Sequence, residues 1–143
     1  MNSIHLICLA VNDIGTSLKF YRDGLGFKTS AEGETPAIVF FNNGGTKLEL
    51  FPLTELQKEI GEAAADVSSG FPRFTLAHNV KHKQGVDELL KRAEKAGATI
   101  VAPAKTTDWG GYSGYFTDPD GFFWEVAYGA DWRFDEHDML VIE

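Results

Sequence analysis

Apolar positions along this chain follow two rhythms, one of period two and one near 3.6, and the pair of rhythms comes round twice. Ile4 to Val11 reads as a strand, and Asp13 is placed to cap a helix. Ile14, Leu18, Tyr21 and Leu25 fall on one face of that helix, and Gly24 and Gly26 supply its stop. Ala37 to Asn42 and Thr46 to Pro52 are predicted strands around an Asn42-Asn43-Gly44-Gly45 turn, a strong hairpin signal. The second round begins with a strand over Phe74 to Val80. Val86, Leu89, Leu90 and Ala93 then give a helical face that ends at Gly97, and strands follow over Thr99 to Ala102, Tyr112 to Thr117 and Phe122 to Tyr128. Asp118-Pro119-Asp120-Gly121 joins the last two, because proline presets φ and glycine accepts the positive φ that such a turn needs.

This order predicts an α+β fold of two paired β-α-β-β-β modules that form a curled mixed sheet around a cleft. Each copy is too small to bury its own sheet, so residues 1–143 are expected to form a single domain with a shared core. Module one covers about 4–52, a connecting helix about 54–67, and module two about 73–128. An acidic tail runs over 129–143, where Met139 to Ile142 suggests a short extra strand or an interface segment.

The formal charge of −8 and pI near 4.9 offer no basic stripe to neutralise phosphates, so nucleic acid is not an expected partner. The lone Cys8 excludes an internal disulfide and suits a reducing compartment. With no long apolar run and no visible signal peptide, neither a membrane span nor export is expected, and the location inferred is cytoplasmic.

Glu125 is the residue on which the chemistry turns. Strand alternation puts Phe123, Glu125 and Ala127 on one face and Phe122, Trp124, Val126 and Tyr128 on the other. A carboxylate on so apolar a strand is costly to bury without a cation, a hydrogen-bond partner or an open cavity. Glu49 stands at the equivalent place in the first half, with Phe51 on its face and Lys47 near enough for an ion pair. Trp109-Gly110-Gly111-Tyr112-Ser113-Gly114-Tyr115-Phe116 alternates rings with glycines, a pattern that suits either an aromatic ligand wall or simple core packing. Trp132 is a further candidate, to close the cleft or to make a dimer contact.

Val11-Asn12-Asp13, Ser17, Phe20-Tyr21 and Leu25-Gly26-Phe27, together with Asp118-Pro119-Asp120-Gly121 and Glu125, resemble the vicinal oxygen chelate superfamily of glyoxalases, extradiol dioxygenases, fosfomycin-resistance enzymes and bleomycin-binding proteins. The resemblance covers roughly residues 4 to 128. It implies a homodimer, a small-molecule ligand and, in metal-dependent members, one ligand from the first and last strand of each half. The last-strand positions map onto Glu49 and Glu125. The first-strand positions fall on Leu6 and Thr75, one residue out of step with His5 and off the phase of His78, and a one-residue slip turns a side chain to the opposite face.

The expected site therefore has Glu125 as its catalytic group, with Leu6, Glu49, Phe51, Thr75, Trp109, Tyr112, Tyr115 and Phe123 around the ligand. No cofactor is expected. A divalent metal on Glu49, Glu125, His5 and His78, with bulges restoring the register, is the alternative. Three functions remain open at this stage: a metal-free small-molecule binder of the glyoxalase/bleomycin-resistance kind, a divalent-metal lyase, isomerase or dioxygenase, and a metal-free enzyme using Glu125 as general base.

Overall fold

The computed structural model describes residues 4–60 and 74–142. The chain divides into two compact units, Met1–Pro72 and Arg73–Glu143. Among the described residues they hold two mixed sheets and three α-helices, an α+β fold.

The first unit is built on β1 (Leu6–Val11), α1 (Ile14–Leu18), β2 (Val39–Phe41), β3 (Lys47–Pro52) and α2 (Leu53–Ile60). The sheet order is β1-β3-β2, with β1 parallel and β2 antiparallel to β3. Leu9, Val11, Val39, Phe41, Leu48 and Leu50 are buried along one face of this sheet. Asp13 does cap α1, its carboxylate accepting from the Thr16 amide at 2.6 Å. The helix then widens into a π-helical stretch over Lys19–Leu25 and stops at Gly26, φ +85°. A wider turn advances less per residue, so the buried stripe shifts from the expected Ile14-Leu18-Tyr21-Leu25 face to Ser17, Leu18, Phe20 and Tyr21. The Asn42–Gly45 turn forms as expected. Asn43 organises it by donating to the Thr46 carbonyl at 2.6 Å and accepting from the Leu48 amide at 3.2 Å. Beyond β2 the segment around Thr29 pairs with Phe41 only as an isolated bridge, so among the described residues this unit carries the three strands that its sequence pattern predicts.

The second unit comprises β4 (Leu76–Asn79), α3 (Lys83–Ala96), β5 (Thr99–Thr106), β6 (Tyr112–Thr117) and β7 (Phe123–Tyr128), in the order β4-β7-β6-β5. Val86, Leu90 and Ala93 of α3 are buried, and α3 packs on β5, β6 and β7. Gly97 ends the helix at φ +113°. Strand β5 extends past the expected Ala102 to Thr106, with register shifts either side of Ala102. Pro103 lies in this edge strand, where its missing N–H is tolerated. At the Asp118–Gly121 turn, the buried Asp118 carboxylate accepts from the amides of Asp120 (3.0 Å) and Phe122 (2.9 Å), while Gly121 takes φ +87°. After β7 the chain folds back as a hairpin, with Phe134 bridged to Leu140, so the apolar run near Met139 pairs within the tail itself.

The connecting helix is seen over Leu53–Ile60, and the remainder of its expected range lies outside the described residues.

Candidate functional site

Strand alternation separates each sheet into two faces. Glu125 stands half-buried on the open face of its sheet, and Glu49, itself buried, is on the same face as the exposed Leu6, Cys8 and Phe40. In the first unit Glu49 pairs laterally with Cys8 on β1 and Phe40 on β2. In the second, Glu125 pairs with Ala77 on β4 and Tyr115 on β6. Each sheet thus carries one cross-strand row, Cys8-Glu49-Phe40 and Ala77-Glu125-Tyr115. The mixed parallel and antiparallel pairing of the central strand is the same in both.

The two carboxylates have different partners. Glu49 is 8% exposed, and burial pushes its pKa up while the Cys8 thiol donates to it and offsets part of the rise. The same contact acts on Cys8. Burial first, and then the Glu49 charge, push that thiol up to about 11. Helix α2 lies against β3 and β1, and Glu59 on it adds negative potential to both groups. The expected Lys47–Glu49 ion pair is replaced by a bond from the Lys47 ammonium to the Asn43 carbonyl. Glu125 is half-buried and accepts from the Tyr115 hydroxyl. Burial and that bond raise the Tyr115 pKa.

The other sequence candidates separate by face. Leu6 and Phe51 lie on the Glu49 face, one register step to either side. Phe123 shares the Glu125 face, and Thr75, exposed, leads into β4 on the same phase. Tyr112 does not join them. It points to the helix side, where its hydroxyl donates to Asp87 on α3 at 3.0 Å and Lys83 lies 4.7 Å from the ring centre. Phe116 is core, stacked on Trp124 at 6.1 Å.

Trp109 is more than half exposed and stacks on Trp132 at 5.5 Å with planes 16° apart. Gly111 and Gly129 make room for this pair, since a Cβ on either would run into an indole. Those two glycines therefore serve ring packing. Gly114 serves another close approach, to Leu90 and the β5 backbone. Cys8 is the residue that sequence reasoning missed as a site neighbour. Its place opposite Glu49 follows from the parallel β1–β3 register, for which a strand pattern alone holds no signal.

The donor set is a poor match for a four-ligand metal centre. His5 is exposed and in phase with the buried Leu9 and Val11. His78 pairs with the buried Val126, in phase with Leu76 on the packed face. It keeps accessible surface, yet packed neighbours desolvate the ring and push its pKa down. The residues actually beside the glutamates are a protonated thiol, an alanine methyl and aromatic rings. Among the described residues no three His, Cys, Asp or Glu side chains come together.

Two repeated sheet-and-helix units, each with a carboxylate on the open face of its central strand, define a paired-module α+β protein. A profile of the Glyoxalase/Bleomycin resistance protein/Dioxygenase superfamily matches residues 3–126, and the chain belongs to that superfamily. It is similar to a glyoxalase-related enzyme from Fulvimarina pelagi, with 29% identity, 99% of both chains covered and a TM-score of 0.87. A lactoylglutathione lyase from Agrobacterium tumefaciens is 26% identical over 94% of this chain and 99% of its own, with a TM-score of 0.67. The uncharacterized protein YraH of Bacillus subtilis (strain 168) is 28% identical over 116 residues, 80% of this chain and 88% of YraH. Among the described residues no helix is long and apolar enough to cross a membrane.

Proposed function

We propose that this protein binds a small organic molecule on the open sheet face of a unit, using that unit's glutamate, Glu49 or Glu125, and its aromatic neighbours without a four-ligand metal centre. The observation that carries the reading is the pair of cross-strand rows. Where a metal site needs a donor beside each glutamate, these rows supply a thiol held by its own hydrogen bond and a methyl group. Phe40, Phe51 and Phe123 offer flat apolar surface on the same faces, as small-molecule sites require. A homodimer in a cytoplasmic setting is part of the same proposal and rests on family resemblance.

A second reading is favoured by one contact. Tyr115 and Glu125 form a bonded phenol–carboxylate pair on an open face, which suits proton transfer to or from a bound molecule. In that case Glu125 accepts the proton and Tyr115 orients the carboxylate.

The deciding experiment compares wild type with Glu125→Gln. The expected result is metal well below one equivalent after purification without chelator or His-tag, and a ligand hit from a fragment screen that binds the variant with altered affinity. Near-stoichiometric metal lost in Glu125→Gln would overturn the metal-free reading. Turnover that disappears while binding persists would establish the second reading over simple binding.

A further inference from the structure

The first unit carries a groove of about 450 Å3 on its open face, within the range of roughly 300–1,000 Å3 that small-molecule sites occupy. Its position follows from the strand register. Leu6 on β1 pairs with Lys47 on β3, and Phe41 on β2 pairs with Leu48, which brings Asn42 alongside Lys47. The Asn42 amide donates to the Lys28 carbonyl, so the row runs across the face from Leu6 to Lys28. Leu6 and Phe40 give the groove apolar walls, and among the described residues Lys28 and Lys47 are its charged lining groups. Ser30 lines the same end as Lys28, as does Thr29, whose hydroxyl donates to the Phe40 carbonyl at 2.7 Å and accepts from the Ala31 amide at 3.1 Å.

That charge pattern runs against the chain as a whole, whose formal charge is −8. Among the described residues no carboxylate lines the groove. The nearest acid in register is Glu49, and its carboxyl group is buried, bonded by Cys8 and pushed toward the protonated form by desolvation. We infer that the groove takes an organic acid with an apolar or aromatic body, its carboxylate held by Lys28 and Lys47 and its body laid on Leu6 and Phe40. This assigns a ligand class to the first unit's open face, and it rests on the reading of that face as a small-molecule site. Lys47 is already oriented by the Asn43 carbonyl, so the ordering cost of one ammonium is met before the ligand arrives.

The test uses three probes of one shape and different charge: 3-phenylpropionate, 3-phenylpropanol and 3-phenylpropylamine. Backbone amide shifts of the full chain are followed by NMR titration, on wild type and on Lys28→Glu, an exposed site that should not disturb folding. The expected result is saturable shifts at Lys28, Thr29, Ser30 and Asn42 with 3-phenylpropionate, and binding weakened about tenfold in Lys28→Glu. Weaker binding of the alcohol and amine at the same amides completes the expectation. Equal or tighter binding of the alcohol or amine overturns the organic-acid assignment while leaving the small-molecule reading standing. Undiminished 3-phenylpropionate binding in Lys28→Glu, or shifts confined to residues outside the groove, overturns it as well. If none of the three probes binds, the groove assignment fails, and the small-molecule reading of this face fails with it.

Discussion

Cys8 and Glu49 sit opposite one another on neighbouring strands, and each changes what the other can do. A thiol at the ordinary value of 9.0 is about a tenth ionised at pH 8, whereas one at about 11 is ionised roughly a hundredfold less. Only the thiolate reacts readily, so Cys8 should alkylate slowly despite being exposed. Iodoacetamide labelling across pH 7 to 11, read by mass spectrometry, should still be rising at the top of the range. Glu49→Gln removes the second cause of the shift but leaves the first, which is burial. The midpoint in that variant should fall yet stay above 9.0, and labelling at pH 8 should quicken severalfold. An unshifted midpoint in wild type would mean that the thiol and carboxylate do not meet. The sequence placed Glu49 on an open face by strand alternation but did not place Cys8 beside it. Alternation tells which residues share a face of one strand, and the partner across a parallel ladder depends on a register that one strand's pattern does not hold.

Strand β5 makes the same point one scale up. Its first residues, Thr99 to Ala102, were legible as a strand, and the expected strand ended there. The structure keeps the strand going to Thr106, because β5 is an edge whose outward N–H groups need no partner and whose irregularities absorb Pro103. This puts β5 close against Gly114 on β6. A Cβ at Gly114 would lie 2.7 Å from Leu90 Cδ1, 2.9 Å from the Ala104 nitrogen and 3.0 Å from the Ala102 oxygen. The leucine can turn aside, but the two backbone atoms cannot without parting β5 from β6. Gly114→Ala should therefore destabilise the protein by about 1–3 kcal/mol, as overpacking typically does. Urea unfolding followed by circular dichroism measures the loss, and an unchanged midpoint would show that the strands separate freely. The glycine-aromatic run that holds Gly114 read equally as ligand wall or packing from sequence. Only three-dimensional neighbours decide such a case: Gly111 and Gly129 bed the two stacked indoles, Gly114 admits a strand, and Tyr115 alone in that run reaches the Glu125 row.

Across the whole molecule the repeat was the most legible feature, since a β-α-β order with a carboxylate late in each half survives in the amino-acid pattern itself. The charge distribution was not legible in the same way. A net charge of −8 is a property of the entire chain, whereas the Lys28 and Lys47 groove is a local reversal assembled from residues nineteen positions apart by the β2–β3 hairpin and the bridge at Thr29. These two scales respond to salt with opposite sign. Self-repulsion among exposed carboxylates disfavours the compact state and is screened as ionic strength rises, so the melting temperature should climb between about 10 and 300 mM NaCl. Attraction between the groove lysines and an organic anion is screened by the same ions, so 3-phenylpropionate should bind more weakly over that range, with Debye length falling from about 30 Å to below 8 Å. Melting curves by differential scanning fluorimetry and titrations at matched salt separate the two effects. If affinity rose with salt alongside stability, apolar contact with Leu6 and Phe40 would dominate recognition, and the two ammonium groups would be bystanders to it.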